Sequence, residues 1–277
     1  DGLAAGKGVF ICQNQLELKN AAITIFEKKT FGTAGESAVL EQFLPGWELS
    51  YLVLTNGVDF TPLPLSQDHK RLLDHDLGPN TGGMGTLAPL KIDEKLNQQI
   101  LETIIKPVLE NMNRQGLLYR GVLYFGLMIT KAGPFVLEFN CRLGDPETQV
   151  ILPLVDEDWG LLFKEIATGK IRPIRYKNMF STCVILAAPG YPDQPQKDVP
   201  IKGDLKHQTA TSYFLHAGTY LKDNQWYTKG GRVLCSIGLG NTLAEAIAES
   251  YSQTKFAKWD GQQMRTDIGS KLKSPSE

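Results

Sequence analysis

The stretch Glu138-Phe139-Asn140-Cys141-Arg142-Leu143-Gly144-Asp145-Pro146-Glu147 constrains this chain more than any other. Glu138 and Asn140 stand two apart at the end of an apolar run. On a strand their side chains share one face, while Phe139 points the opposite way into packing. A Gly-Asp-Pro turn then leads into a helix start. A carboxylate and an amide oxygen on one face of a strand end suit magnesium, which takes one or two protein ligands plus phosphates and water. The same pair also reads as a solvated strand end. Arg142 can grip a phosphate or a carboxylate in bidentate fashion. Asp145 and Glu147 either join that chemistry or cap the helix and favour its dipole.

The surrounding pattern is one of short strands and a few helices. Residues 9–12 read as a strand and 15–28 as a helix capped by Asn14, followed by a glycine-punctuated loop at 31–35. Strands are expected at 38–44, 49–54 and 60–65. Asn56-Gly57 makes a hairpin between the last two, and Pro62 and Pro64 place the third at an edge. Residues 66–90 show no clear period, and structureless stretches of this length tend to be functional. A helix over 94–113 should kink at Pro107. Strands at 121–130 and 135–140 and helices at 146–154 and 158–168 follow. The texture changes near 170–180, where we place a domain boundary. Beyond it lie strands at 181–188, 211–216, 219–220 and 233–239, a helix over 243–255, and a polar tail at 273–277.

Length and charge narrow the function. The 277 residues exceed one average domain, and a chain of this length buries a core without staples. With 29 basic and 30 acidic side chains, the net charge of −1 offers no long-range field for nucleic acid or an anionic membrane. Neither is expected as a partner. Cys12, Cys141, Cys183 and Cys235 are scattered without a CxxC pair, which fits reduced thiols and a cytoplasmic protein. The apolar runs are far shorter than a membrane span.

Other segments carry chemistry-bearing residues. In the opening Asp1-Gly2-Leu3-Ala4-Ala5-Gly6-Lys7-Gly8-Val9, the glycines Gly2, Gly6 and Gly8 let backbone N–H groups face one anion, and Lys7 adds a mobile charge. This is either a phosphate-covering flap or a plain glycine turn. It is not a Walker A loop, because Gly8 stands where Ser or Thr is needed. Gln67-Asp68-His69-Lys70-Arg71 followed by Gly78-Pro79-Asn80-Thr81-Gly82-Gly83-Met84-Gly85 reads as a polar loop shaped around a ligand, or as a charge run and a turn. His69 has no visible partner for acid–base work and reads as a hydrogen-bonding residue. By composition Glu41–Glu48 is merely a turn, though its backbone could hydrogen-bond a base edge; His216-Ala217-Gly218-Thr219 and Gly230-Gly231-Arg232-Val233 read first as strand turns, with a ligand role as the alternative.

Taken in order, these segments resemble the phosphoribosylamine–glycine ligase (glycinamide ribonucleotide synthetase) family of the ATP-grasp superfamily. The motifs QDHKR, GPNTGGMG and EFNCRxGDPE carry the resemblance across almost the whole chain. It implies an α+β fold: a partial ATP-grasp unit with a truncated first lobe, then a small C-terminal mixed α/β domain. The expected division is 1–44, 45–175 and 176–277. The implied reaction ligates glycine to 5-phosphoribosylamine with ATP and Mg2+ or Mn2+, through glycyl phosphate. Glu138 and Asn140 match the family's metal ligands, and Gly2, Gly6, Lys7 and Gly8 its flap. Glu41, Gln42, Phe43, Leu44 and Glu48 match the adenine and ribose hinge, and Arg71 and Asn80 positions near the phosphates. Arg142, Asp145 and, on its place in QDHKR alone, Asp68 fall near the glycine or phosphoribosylamine site. Relatives carry an upstream domain that is absent here, so the chain alone is expected not to complete the reaction. Two alternatives remain: another ATP-grasp carboxylate–amine ligase, or a non-catalytic nucleotide-binding remnant.

Overall fold

The computed structural model describes residues 8–270. Gly2, Gly6 and Lys7 of the opening loop, and the polar tail, lie outside the described residues. Helix α1 (Gln15–Ala22) continues as a π-turn over Ile23–Glu27. Its cap is as expected: Asn14 Oδ1 accepts the Glu17 N–H at 3.0 Å, and Glu17 reaches back to the Gln13 N–H at 2.8 Å. The strands expected at 9–12 and 38–44 do not form. A strand needs a partner edge, and neither segment pairs with one among the described residues. Val39 and Leu40 are 85% and 78% exposed, so they have no packing to hold them extended either.

The first sheet joins β1 (Trp47–Thr55), β2 (Phe60–Pro62), β7 (Gly121–Thr130) and β8 (Gly133–Asn140) in the antiparallel order β2-β1-β7-β8. The Asn56-Gly57 hairpin and the edge position of the Pro62 strand agree with the sequence. Odd residues of β1 and β7 (Leu49, Tyr51, Val53, Leu123, Phe125, Leu127) pack under α2 (Glu94–Ile100) and α3 (Lys106–Arg114). A π-turn over Leu101–Ile105 joins these helices just ahead of Pro107, where the proline's missing N–H is accommodated. The even face is split. Leu52, Leu54 and Val122 enter a second core with α4 (Glu147–Ile151) and α5 (Trp159–Ala167), and the other end of this face is polar.

Residues 66–90 are not structureless. They form β3 (Gln67–Asp68), β4 (Arg71–Leu73), β5 (Leu77–Asn80) and β6 (Gly85–Ala88). These strands are two to four residues long, too short to show a period. β4 and β5 make a separate hairpin. β3 and β6 complete a second sheet with β9 (Phe180–Ala187), β11 (Ser212–His216) and β14 (Arg232–Gly240), in the order β11-β14-β9-β6-β3. The expected boundary near 170–180 falls between α5 and β9, and this sheet takes strands from both sides of it. Strands β10 (Pro200–Gly203), β12 (Thr219–Lys222), β13 (Gln225–Thr228) and β15 (Ala257–Lys258) form a third sheet. Helix α6 (Leu243–Thr254), with a Thr242–Glu245 capping box, lies on β14 and β9. Among the described residues no helix is long and apolar enough to cross a membrane.

Candidate functional site

The polar end of the first sheet's even face is built by register. Ser50 lies opposite Gly126, and Gly126 opposite Glu138; Tyr124 lies opposite Asn140. A Cβ at Gly126 would stand 3.0 Å from Glu138 Cγ, so a bare backbone there leaves room for the Glu138 side chain to lie across β7. Asn140 Nδ2 is 3.5 Å from Glu138 Oε1, so the pair shares one face as the period of two requires. Phe139, on the other face, packs edge-on against Phe125 but stays half-exposed.

The ammonium of Lys70 bridges this sheet to the β3 loop. It lies 2.9 Å from Glu48 and 4.0 Å from Glu138. Burial alone would lower its affinity for a proton; Glu48, Asp68 and Glu138 outweigh that and hold it above the ordinary lysine value. Asp68 accepts the His69 N–H at 2.7 Å, and burial and the Glu147 carboxylate push its carboxyl well up. Glu147 stands in the first turn of α4, where the helix dipole favours an acid, but its side chain makes no cap hydrogen bond. It is 3% exposed, and its Oε1 accepts from Tyr124 Oη at 2.9 Å and Ser50 Oγ at 3.0 Å. Burial and that carboxylate raise the Tyr124 phenol, which keeps its proton and donates. Glu48, Lys70, Asp68, Glu138, Asn140 and Glu147 thus come from three distant stretches into one acid-rich cluster.

The glycine loop and the Gly-Asp-Pro turn meet beside it. Gly83 has φ +111°, and a Cβ there would lie 2.5 Å from Pro146 Cδ and 2.6 Å from Asp68 Oδ1. Only glycine combines that backbone with that approach. The Gly230–Val233 turn, read from sequence as structural, delivers Arg232 between the two loops. Its guanidinium donates to Gly82 O at 2.7 Å and Asp145 O at 2.9 Å, and pairs with Asp145 Oδ2 at 2.8 Å. Arg142 folds back on the Leu143 carbonyl in an exposed turn.

Arg71 and Asn80 face each other across the β4–β5 hairpin. Both line a separate cavity of about 630 Å3, with Phe10, Cys12 and Asn20 opposite. Gly8 is an exposed turn residue directly before Val9, which also lines it. Glu41, Gln42 and Phe43 are exposed and Leu44 half-buried in an irregular segment ahead of β1; of the hinge residues only Glu48 joins the acid-rich cluster.

His69 is buried, as a hydrogen-bonding ring. Nδ1 donates to Gly85 O at 3.1 Å, and Nε2 accepts the Gly269 N–H at 3.4 Å. Burial, and then Arg265, pull its pKa from 6.5 to about 4; Gly85 O, Asp76 and Asp267 oppose the shift. The stability carried by the neutral ring is therefore complete above pH 6.5, declines as pH falls through that window and is gone near 4. The shift is worth roughly 3 kcal/mol. Asp68 has the opposite sign and is common to both proteins compared. Denaturant titrations at pH 7 and 4.5 should show a larger loss on acidification for the wild type than for His69→Gln. Equal losses would contradict the assignment.

Ser50 and Tyr124 were missed from sequence, although each is a polar even position in an apolar strand, which is the available signal. The donor set at Glu138 and Asn140 is all oxygen. Among the described residues no three His, Cys, Asp or Glu side chains gather as a metal site. A hard cation completed by phosphate and water fits those two donors.

Comparison with known proteins agrees with this architecture. The phosphoribosylglycinamide synthetase ATP-grasp (A) domain model matches residues 1–148, and the C domain model of the same family matches 181–271. The trifunctional purine biosynthetic protein adenosine-3 of Gallus gallus is 44% identical over 97% of this chain, which spans 27% of that protein. The phosphoribosylamine–glycine ligase of Caldanaerobacter subterraneus is 39% identical over 97% of the chain, which spans 64% of that ligase. The crystal structure of the Thermotoga maritima phosphoribosylamine–glycine ligase matches with a TM-score of 0.82 and 36% identity, over 96% of this chain and 67% of that one. The fold is ATP-grasp.

Proposed function

Because the chain belongs to the phosphoribosylglycinamide synthetase family, we propose that it forms the nucleotide and metal clamp of an ATP-dependent ligase joining glycine to 5-phosphoribosylamine. The observation that carries this reading is Lys70, whose ammonium bridges Glu48 of the hinge strand and Glu138 of the metal strand. Glu138 and Asn140 would hold Mg2+ or Mn2+, which when bound neutralises phosphate charge. Glu41–Leu44 and Glu48 would take adenine and ribose. Arg71 and Asn80, facing the cavity beside the N-terminal helix, would take the phosphates with Gly2, Gly6, Lys7 and Gly8.

One carboxylate oxygen of glycine attacks the γ-phosphorus, and the bond to the β-phosphate oxygen breaks to release ADP. The amine of phosphoribosylamine then attacks the acyl carbon of glycyl phosphate, expelling phosphate and losing a proton. The protein's share is position and charge. Arg142 and Asp145, on the turn tied down by Arg232, orient the carboxylate and amine, and Asp68 lies behind them. The four unpaired cysteines suit the reducing cytoplasm, where we place the reaction.

In the complete polypeptide that carries this chain, ADP release should require glycine and phosphoribosylamine together. Release with a different carboxylate or amine in preference to these would favour another ATP-grasp ligase. Failure to bind MgATP would refute the clamp.

A further inference from the structure

The β4–β5 hairpin is held by a latch from the far end of the chain. Arg265 is wholly buried. Its guanidinium forks onto Asp267, with Nε to Oδ1 at 2.7 Å and Nη2 to Oδ2 at 2.8 Å. Nη1 reaches the hairpin itself, donating to Asp76 Oδ1 at 2.8 Å and to the Arg71 carbonyl at 3.3 Å. The hairpin answers with its own groups. The His75 N–H donates to Asp267 Oδ2 at 2.8 Å, the Thr266 N–H to Asp74 Oδ1 at 2.8 Å, and the Thr266 hydroxyl to Asp74 Oδ2. The hairpin tip carries two consecutive non-glycine residues at positive φ, His75 at 61° and Asp76 at 54°. Such a tip persists only where its surroundings over-determine it, and here the surroundings are residues 265–267.

We propose that Arg265, with Asp267, positions the hairpin so that Arg71 and Asn80 are presented together to the nucleotide phosphates. The inference rests on the phosphate role assigned to those two residues above. Arg265 touches the Arg71 backbone and no cavity-lining side chain, so it is a positioning residue. Arg265→Leu would leave the Asp267 carboxylate buried without its cation, which destabilises strongly and would confuse folding with function. Asp74→Ala/Asp76→Ala removes the latch from the hairpin side, where Asp74 is half-buried and Asp76 exposed, and leaves Arg265 its fork on Asp267.

Calorimetry with MgATP and with adenosine separates the effects. Removing two negative charges would by itself strengthen phosphate binding. The latch predicts the reverse: affinity for MgATP about tenfold weaker, with adenosine unchanged. Equal losses for both ligands, or no loss for MgATP, would overturn it. If the wild-type chain binds neither ligand, the clamp reading falls and the latch is decided without nucleotide. Amide exchange at Arg71, Leu77 and Asn80 should then rise at least tenfold in the variant, and unchanged exchange would overturn the proposal.

Discussion

Glu138→Ala should lower metal-dependent ADP formation in the complete polypeptide by about a thousandfold while leaving the fold intact. Two effects compete in that substitution, and their sizes differ. Glu138 is half-exposed, and its contact with Lys70 is a long one of 4.0 Å. Lys70 keeps Glu48 at 2.9 Å, so no buried charge is orphaned. The structural cost should stay within about 0.5 kcal/mol, as for ordinary surface changes. The catalytic cost is different in kind. One of two protein oxygens that would hold the cation goes, and phosphoryl transfer depends on charge neutralisation for most of its acceleration. Groups that only orient a metal ligand already cost 10–100-fold when lost, so a direct ligand should cost more. A thermal midpoint within a degree or two of wild type, with turnover near background, is the expected pair of results. Wild-type turnover would remove Glu138 from the metal site.

Gly83→Ala should be strongly destabilising, and it is the glycine change that bears on the site. The added Cβ would meet Pro146 Cδ at 2.5 Å and Asp68 Oδ1 at 2.6 Å, on a backbone at φ +111°. The backbone alone costs about 1–3 kcal/mol, and the clash must push either the Pro146 turn or Asp68 aside. A total of about 3 kcal/mol corresponds to a thermal shift of roughly 8 °C for a chain of this size. Gly116→Ala is the control, since Gly116 has φ +75° and nothing within 4 Å of its Cβ. It reports the backbone cost without the clash and should shift the midpoint by a third as much. Similar shifts for the two would mean that the Gly83 neighbourhood yields freely. Because Asp68 and Pro146 adjoin the acid-rich cluster, Gly83→Ala should also weaken substrate use in the fraction that folds.

Both predictions concern features of differing legibility. The Glu138/Asn140 face was readable because a period of two is local and the strand is long. The β1–β2 hairpin and the Pro107 break were readable for the same reason, each carried by a turn or breaker residue in place. The strands at 66–90 were not. They are two to four residues long and are held by partners up to a hundred positions away, as when β6 pairs with β9. The failed strands at 9–12 and 38–44 show the converse: largely apolar runs that find no edge to pair with among the described residues stay irregular. Within the site, Glu147 is the helix-start acid the sequence suggests, but its buried role was hidden because its partners Ser50 and Tyr124 are distant in sequence. Arg232 and Arg265 were hidden likewise. Arg265 lies in a stretch with no motif and Arg232 in a turn that reads first as structural, and only the packing of the C-terminal third against the glycine loop and the hairpin shows what each holds.

The central claim is that this chain clamps ATP for attack by a glycine carboxylate. Oxygen-18 in the glycine carboxyl group tests it most directly, in the complete polypeptide with MgATP and phosphoribosylamine. The account predicts one labelled oxygen in each phosphate released, because the acyl–oxygen bond breaks when the amine attacks. Unlabelled phosphate alongside glycinamide ribonucleotide would contradict it.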